Sequence, residues 1–371
     1  MKAAFSVFYL LVSWSCVSFC QQGDKPDTGM TTRIAVKERI EELLVYPACL
    51  DSFSETTESY IVEEVIIPSG EIKLHGQLYL PKKPGPHPAI VYMHGGGNDY
   101  DMLMSAPKYY APRLAHCGYA ALIYDKRGTG ESGGVFHEST YDDYISDAGH
   151  AADFLAKHEQ IDLGKIGVYG GSQGGRLAPL VATRYPSVSF AISASGPIGT
   201  LADHANFNME YALKVRGYED TTIEQVMPLW RKHHAAWESL DPRELNEVAE
   251  ETIKKRKYID TFALPNTRQE FFADSNLFFL RPVYNSMSRD YLGELVNLDV
   301  PWLALFGELD PVINVPESVE NIKKQMSAAG NGDFEIIIFD NAGHSFQNQD
   351  TGEYIPTINV VINWLKEKTQ D

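Results

Sequence analysis

A hydroxyl becomes a nucleophile at neutral pH only if a base takes its proton and a carboxylate orients that base and stabilises its charged form. Ser172, His344 and Asp310 are the residues of this chain whose types and surroundings fit those three tasks. Ser172 lies in Gly170-Gly171-Ser172-Gln173-Gly174-Gly175, which satisfies G-x-S-x-G at Gly170, Ser172 and Gly174. An apolar run, Lys165 to Tyr169, precedes it, and Leu177, Leu180 and Val181 follow on one face of a helical pattern. The reading is strand, sharp turn, helix. A serine on such a turn takes a strained backbone, and the positions beside it must lack side chains so that strand and helix can approach. The turn presents the hydroxyl at the N-terminus of the helix, where free N–H groups favour a developing negative charge. That is chemistry for attack on a carbonyl.

The two partners each stand just beyond a predicted strand. Asp310 follows Trp302 to Phe306 in Gly307-Glu308-Leu309-Asp310-Pro311, and His344 follows Phe334 to Phe339 in Asn341-Ala342-Gly343-His344-Ser345. Glu308 and Asp340 are the rival acids. Glu308 stands nearer the strand end, and Asp340 closes a strand and reads as structural, so Asp310 is preferred by its place in the loop. Of the eleven histidines, only His344 follows the last strand in a glycine-bearing loop. An oxyanion needs at least two donors. The Gln173 N–H, at the start of the helix, is one, and the other comes from His94-Gly95-Gly96-Gly97, with the donating glycine left open. His94 itself reads as a brace for that loop.

These residues need a scaffold. Thr32 to Leu44 reads as an amphipathic helix, and Ser59 to Ile67 and Ile72 to Leu80 as strands joined at Ser69-Gly70. Strands at Ala89 to Met93, Ala120 to Tyr124, Lys165 to Tyr169 and Phe190 to Ser195 then alternate with helical patterns such as Tyr141 to His158. Alternation of this kind predicts βαβ units and a mostly parallel sheet flanked by helices, with the site at the carboxyl ends of the strands. His94, Asp125 and Ser172 all fall at such ends.

Residues 197 to 297 carry only helical signals: Asn206 to Val215, Thr221 as an N-cap with Glu224 behind it, and Asp241 as an N-cap with Pro242 and Glu244. They predict a helical lid inserted before the strand that leads to Asp310. Its aromatics, Phe207, Tyr211, Trp230, Trp237, Phe271, Phe272, Phe278, Phe279 and Tyr284, are expected mostly to fill the core of that lid, with some free to line an apolar pocket. The sheet resumes at Trp302, and helices from Val319 to Ala328 and Thr357 to Lys368 complete a catalytic domain of residues 59–196 and 298–371. Residues 21–58 form a leader with the short helix.

The chain has 371 residues and a net charge of -18, which argues against nucleic acid and anionic membrane surfaces as partners. Met1-Lys2 and the apolar run Ala3 to Val12 are too short to span a bilayer and read as a signal peptide over residues 1–20, cut after Cys20. Export to the periplasm or medium is therefore expected, with no integral membrane span. Lipid attachment at Cys20 or Cys16 is the alternative. Of four cysteines, Cys49 and Cys117 remain in the mature chain, to pair or to stay as buried thiols. No Cys/His cluster suggests a metal, and His233-His234, pointing two ways from one helix, is expected at the surface.

His94-Gly95-Gly96-Gly97, Asp125-Lys126-Arg127-Gly128-Thr129-Gly130-Glu131-Ser132, Gly170 to Gly175, Gly307 to Pro311 and Ala342-Gly343-His344-Ser345 together resemble the serine α/β-hydrolase superfamily. The likeness is nearest to secreted bacterial esterases and prolyl-oligopeptidase-like hydrolases. It covers residues 59 to 370 apart from the lid, and no β-propeller precedes the catalytic domain. The resemblance favours Gly96 and Gly97 as oxyanion donors, with Gly95 open, and implies a small-molecule ester substrate with no metal or organic cofactor. The alternative of the same chemistry is a serine aminopeptidase or dipeptidyl peptidase. Such an enzyme needs carboxylates to hold a substrate ammonium, for which Glu210, Glu219 and Asp220 are candidates.

Overall fold

The computed structural model describes residues 35–54, 58–96, 106–239, 241–261, 263–272 and 289–369. The described residues divide into two compact units, one within Ile34–Thr200 and Pro282–Asp371, the other within Leu201–Arg281. The first holds one eight-stranded sheet: β1 Tyr60–Ser69, β2 Ile72–Pro81, β3 His87–Met93, β4 Ala120–Tyr124, β5 Ile161–Gly171, β6 Phe190–Ala194, β7 Trp302–Gly307 and β8 Phe334–Phe339. Their order is β1-β2-β4-β3-β5-β6-β7-β8. β2 runs antiparallel to β1 and β4, and every other pairing is parallel.

Side chains alternate across a strand, so each buried strand feeds two cores. Val91 and Met93 point to one face, where they pack with α3 (Tyr141–Leu155), α4 (Gln173–Arg184) and α8 (Val315–Ala329). Ile90 and Tyr92 point to the other, against α1 (Lys37–Leu44), α2 (Ala106–His116) and α9 (Thr357–Thr369). Local signals set the helix ends. Thr140 and Asp143 form a capping box ahead of α3, and Asn314 caps α8, which stops at Gly330 in the left-handed conformation.

Several expected boundaries move. The first helix begins at Lys37 rather than Thr32, since Ala35 and Val36 are not helical and 32–34 lie outside the described residues. β5 starts four residues earlier than its apolar run, the added stretch leaving Leu163 and Gly164 exposed and so lacking the continuous apolar pattern of a buried strand. Cys49 and Cys117 form a disulfide that ties the segment after α1 to the end of α2.

In the second unit the described elements are helices: α5 Leu201–Val215, α6 Asp220–Ser239, α7 Pro242–Arg256 and a single turn at Arg268–Phe271. Asp241 caps α7 by accepting from Arg243 N, with Pro242 at the first position. Thr221 is not a cap. α6 starts one residue before it, and Thr222 and Ile223 donate to the Glu219 carbonyl instead. His233 and His234 are buried, not at the surface. The unit must build its core from short amphipathic helices, and imidazoles share it: His233 Nε2 accepts from the Trp237 indole at 3.0 Å, and its ring lies 4.6 Å from that of Phe271. Burial lowers the His233 pKa to about 4. Trp237 and Phe271 belong to this core, as expected for most aromatics here, whereas Phe278, Phe279 and Tyr284 lie outside the described residues.

Candidate active site

Ser172 stands between the last residue of β5 and the first of α4 with φ 52° and ψ -114°, a left-handed-side backbone that a β-carbon resists. Tight packing forces that geometry. A β-carbon on Gly170 would meet the Gly174 carbonyl oxygen at 2.1 Å, and one on Gly174 would meet the carbonyl oxygens of Met93 and His94 at 2.6 Å. The two glycines of the motif are therefore the places where β3, β5 and α4 touch backbone to backbone. The Ser172 N–H donates to the Ala194 carbonyl, and its side chain caps nothing, so the hydroxyl is left for other work.

His344 faces that hydroxyl. Its Nε2 lies 3.1 Å from Ser172 Oγ and its Nδ1 lies 2.7 Å from Asp310 Oδ2. The buried carboxylate of Asp310 is a pure acceptor, so the ring proton sits on Nδ1 and leaves Nε2 facing the hydroxyl as an acceptor. Asp310 Oδ1 accepts from Val312 N at 2.8 Å and Ile313 N at 3.1 Å, which fixes the carboxylate plane. Glu308 is directed elsewhere, accepting from Asn341 N at 3.0 Å, and Asp340 is exposed.

His344 is also held by its backbone. Ser195, just past β6 with φ 49°, donates from Oγ to the His344 carbonyl at 2.8 Å. Nothing in the local sequence marks Ser195, because its partner is 149 residues away.

The loop after β3 and the start of α4 both lie beside this turn. Gln173 opens α4, whose first N–H groups have no partner within the helix. A β-carbon on Gly95 would come within 3.5 Å of Ser172 Cβ, and one on Gly96 within 3.7 Å of Gln173 Cβ, so the loop after β3 runs beside the turn. Gly97 lies outside the described residues. His94 Nε2 donates to the Tyr124 carbonyl, tying this loop to β4. Burial lowers the His94 pKa to about 4, with the Lys126 charge acting in the same direction, so His94 is neutral and braces rather than titrates.

Asp125 to Ser132 forms a closed knot at the end of β4. Asp125 Oδ2 accepts from Glu131 N at 2.9 Å, Ser132 Oγ donates to the Asp125 carbonyl at 2.6 Å, and Arg127 grips Asp147 through Nε and Nη2. These contacts are structural. Among the described residues, no group of His, Cys, Asp and Glu is placed to hold a metal ion, and no helix is long and apolar enough to cross a membrane.

A family profile described as X-Pro dipeptidyl-peptidase (S15 family) matches residues 69–279, more than half of the chain, and a dienelactone hydrolase family profile matches residues 282–363. Esterase EstD of Thermotoga maritima is 26% identical over 276 residues, which is 73% of this chain and 57% of that protein. Human dipeptidyl peptidase 8 is 30% identical over 139 residues, 34% of this chain and 15% of that protein. The chain thus spans little more than half the length of one relative and a small part of the other. Among solved structures, an esterase of Pyrococcus furiosus superposes with a TM-score of 0.54 at 16% identity, over 86% of this chain and 96% of that one. A 2,6-dihydroxy-pseudo-oxynicotine hydrolase superposes with a TM-score of 0.52 at 19% identity, over 82% and 67%. Sequence and fold together place the chain among the serine α/β-hydrolases, the superfamily its motifs resemble.

Proposed function

We propose that this chain, which belongs to the X-Pro dipeptidyl-peptidase (S15) family, is a serine hydrolase that cleaves carboxylic esters of small molecules. The observation that carries the reading is the unbroken line from Ser172 Oγ through His344 to Asp310, at 3.1 Å and 2.7 Å. Ser172 Oγ attacks the ester carbonyl while His344 Nε2 takes its proton. The carbonyl oxygen becomes an oxyanion, held by the N–H groups of Gln173 and of Gly96 or Gly97. Collapse breaks the bond to the alcohol, which leaves with the proton from Nε2. Water then repeats the sequence on the acyl-enzyme, His344 taking its proton and returning it to Ser172. Asp310 holds the imidazolium through Nδ1.

The ester reading is preferred because EstD, an esterase, aligns with 73% of the chain, whereas the dipeptidyl peptidase aligns with 34%. The second reading, release of an X-Pro dipeptide or an N-terminal residue, is favoured by the family profile itself. It requires carboxylates for the substrate ammonium. Of the three put forward, Glu210 is engaged by Lys214 on its own helix at 2.7 Å, and Glu219 and Asp220 are exposed. The disulfide supports work in an oxidising, exported compartment.

Turnover of p-nitrophenyl acetate, butyrate and octanoate beside alanine and proline p-nitroanilides, with and without a serine-directed phosphonate, tests the proposal. Ester turnover that the phosphonate abolishes, without anilide cleavage, is expected. Anilide cleavage at comparable efficiency transfers the assignment to the peptidase, and Ser172→Ala should lower turnover by roughly a thousandfold or more with little change in the thermal midpoint.

A further inference from the structure

Lys126, two residues past the end of β4, is buried at 6% exposure and takes no part in the reaction proposed above. Its Nζ donates to the Gly95 carbonyl at 3.1 Å and to Gln173 Oε1 at 2.5 Å, and it lies 4.4 Å from the centre of the Tyr144 ring. The nearby carboxylate of Asp147, which lines the same small cavity, is occupied by Arg127 and Ser69. Both hydrogen-bond partners of the ammonium are therefore neutral. A buried charge with neutral partners is costly to the fold, so a merely space-filling role is better served by an apolar side chain.

The two partners share one property. The Gly95 carbonyl belongs to the same planar peptide unit as the Gly96 N–H, and in a trans peptide the two point in opposite directions. A donor that grips the Gly95 oxygen therefore aims the Gly96 N–H the other way. Gln173 is the residue whose own N–H is the second oxyanion donor. One ammonium thus holds both segments that carry those donors, and the β-carbon positions of Gly96 and Gln173 stand 3.7 Å apart. We propose that Lys126 is a positioning residue that clamps the loop after β3 to the start of α4 and so sets the spacing of the oxyanion donors, with Gly96 as the loop donor. The clamp rests on the Ser172 reading above. Burial lowers the Lys126 pKa to about 7, as expected for a group whose partners bring no opposite charge.

The test is steady-state kinetics on p-nitrophenyl acetate for Lys126→Met, Gln173→Ala and the double variant, with Ser172→Ala alongside. A misplaced oxyanion donor acts on the transition state and little on substrate binding, so Lys126→Met should lower kcat by about ten- to a hundredfold with KM within about twofold. The double variant should be no worse than about threefold below the poorer single one, since both break the same clamp. Should Lys126→Met fail to fold, Gln173→Ala decides: it removes the side-chain acceptor of the ammonium but keeps the backbone N–H, and should lower kcat with KM within about twofold. Full kcat in Lys126→Met, full kcat in Gln173→Ala, or additive losses in the double variant overturn the clamp alone. Turnover that survives Ser172→Ala removes the serine reading, and the clamp with it.

Discussion

Ser195 Oγ donates to the backbone carbonyl of His344 at 2.8 Å, so the end of β6 holds in place the histidine that follows β8. β7 lies between those two strands, and this bond crosses it on the rim where Ser172 stands. Ser195→Gly removes the hydroxyl while accepting the backbone at φ 49°. Loss of one such bond is expected to lower stability by about 1 kcal/mol and the melting temperature by roughly 2–4 °C. If the bond also orients the base, kcat should fall about threefold or more with KM unchanged, read from melting curves beside steady-state kinetics. An unchanged kcat would confine Ser195 to stability.

Asp310→Asn keeps the shape of the acid but replaces an acceptor oxygen or turns an amide donor toward His344. The imidazole then loses the partner that keeps its proton on Nδ1. A loss of about 10³–10⁴ in kcat is expected, with the fold intact because Oδ1 can still accept from Val312 and Ile313. Glu308→Gln, whose carboxylate serves Asn341 instead, should leave kcat within about threefold.

Two buried bases make stability depend on pH in two windows. His94 falls from 6.5 to about 4 on folding, so between those values the unfolded chain binds the proton and the folded one does not. Stability should therefore decline as pH falls from 6.5 toward 4, and His94→Gln should flatten that slope in denaturant titrations. Lys126 falls from 10.5 to about 7, so by the same sign stability should gain a rising contribution from pH 7 to 10.5, absent in Lys126→Met. A slope unaltered by either substitution would assign the pH dependence to other groups.

Cys49 and Cys117 close a loop of 68 residues in separation. Reduction, or Cys117→Ser, is expected to destabilise the protein by about 2–4 kcal/mol, which a reductant-dependent shift in the melting curve would reveal. A melting curve indifferent to reductant would mean that the link constrains little of the unfolded chain.

Local chemistry is what made much of the molecule readable. β4, β8 and the β1–β2 hairpin follow from short apolar runs and turn residues, and Gly170, Ser172 and Gly174 announce their turn because backbone contacts there exclude side chains. Signals that compete locally misled. Thr221 has the residue pattern of a cap, yet α6 begins at Asp220, and an adjacent His pair that reads as surface is buried because that helix packs on two sides. α2 has no counterpart among the helical patterns read above, because Pro112 inside it breaks the local helical signal.

The sequence by itself determined the chemical inventory and its chain order: a serine on a strand-to-helix turn, an acid and a histidine each just past a strand, and a glycine loop after another. Those are properties of residue type and local spacing. Which acid reaches His344, which serine holds its backbone, and which lysine joins Gly95 to Gln173 were decided only by the tertiary structure. Each of these contacts joins segments separated by tens of residues or more, and only the packing of β3 to β8 into one sheet brings the strand ends within hydrogen-bond reach.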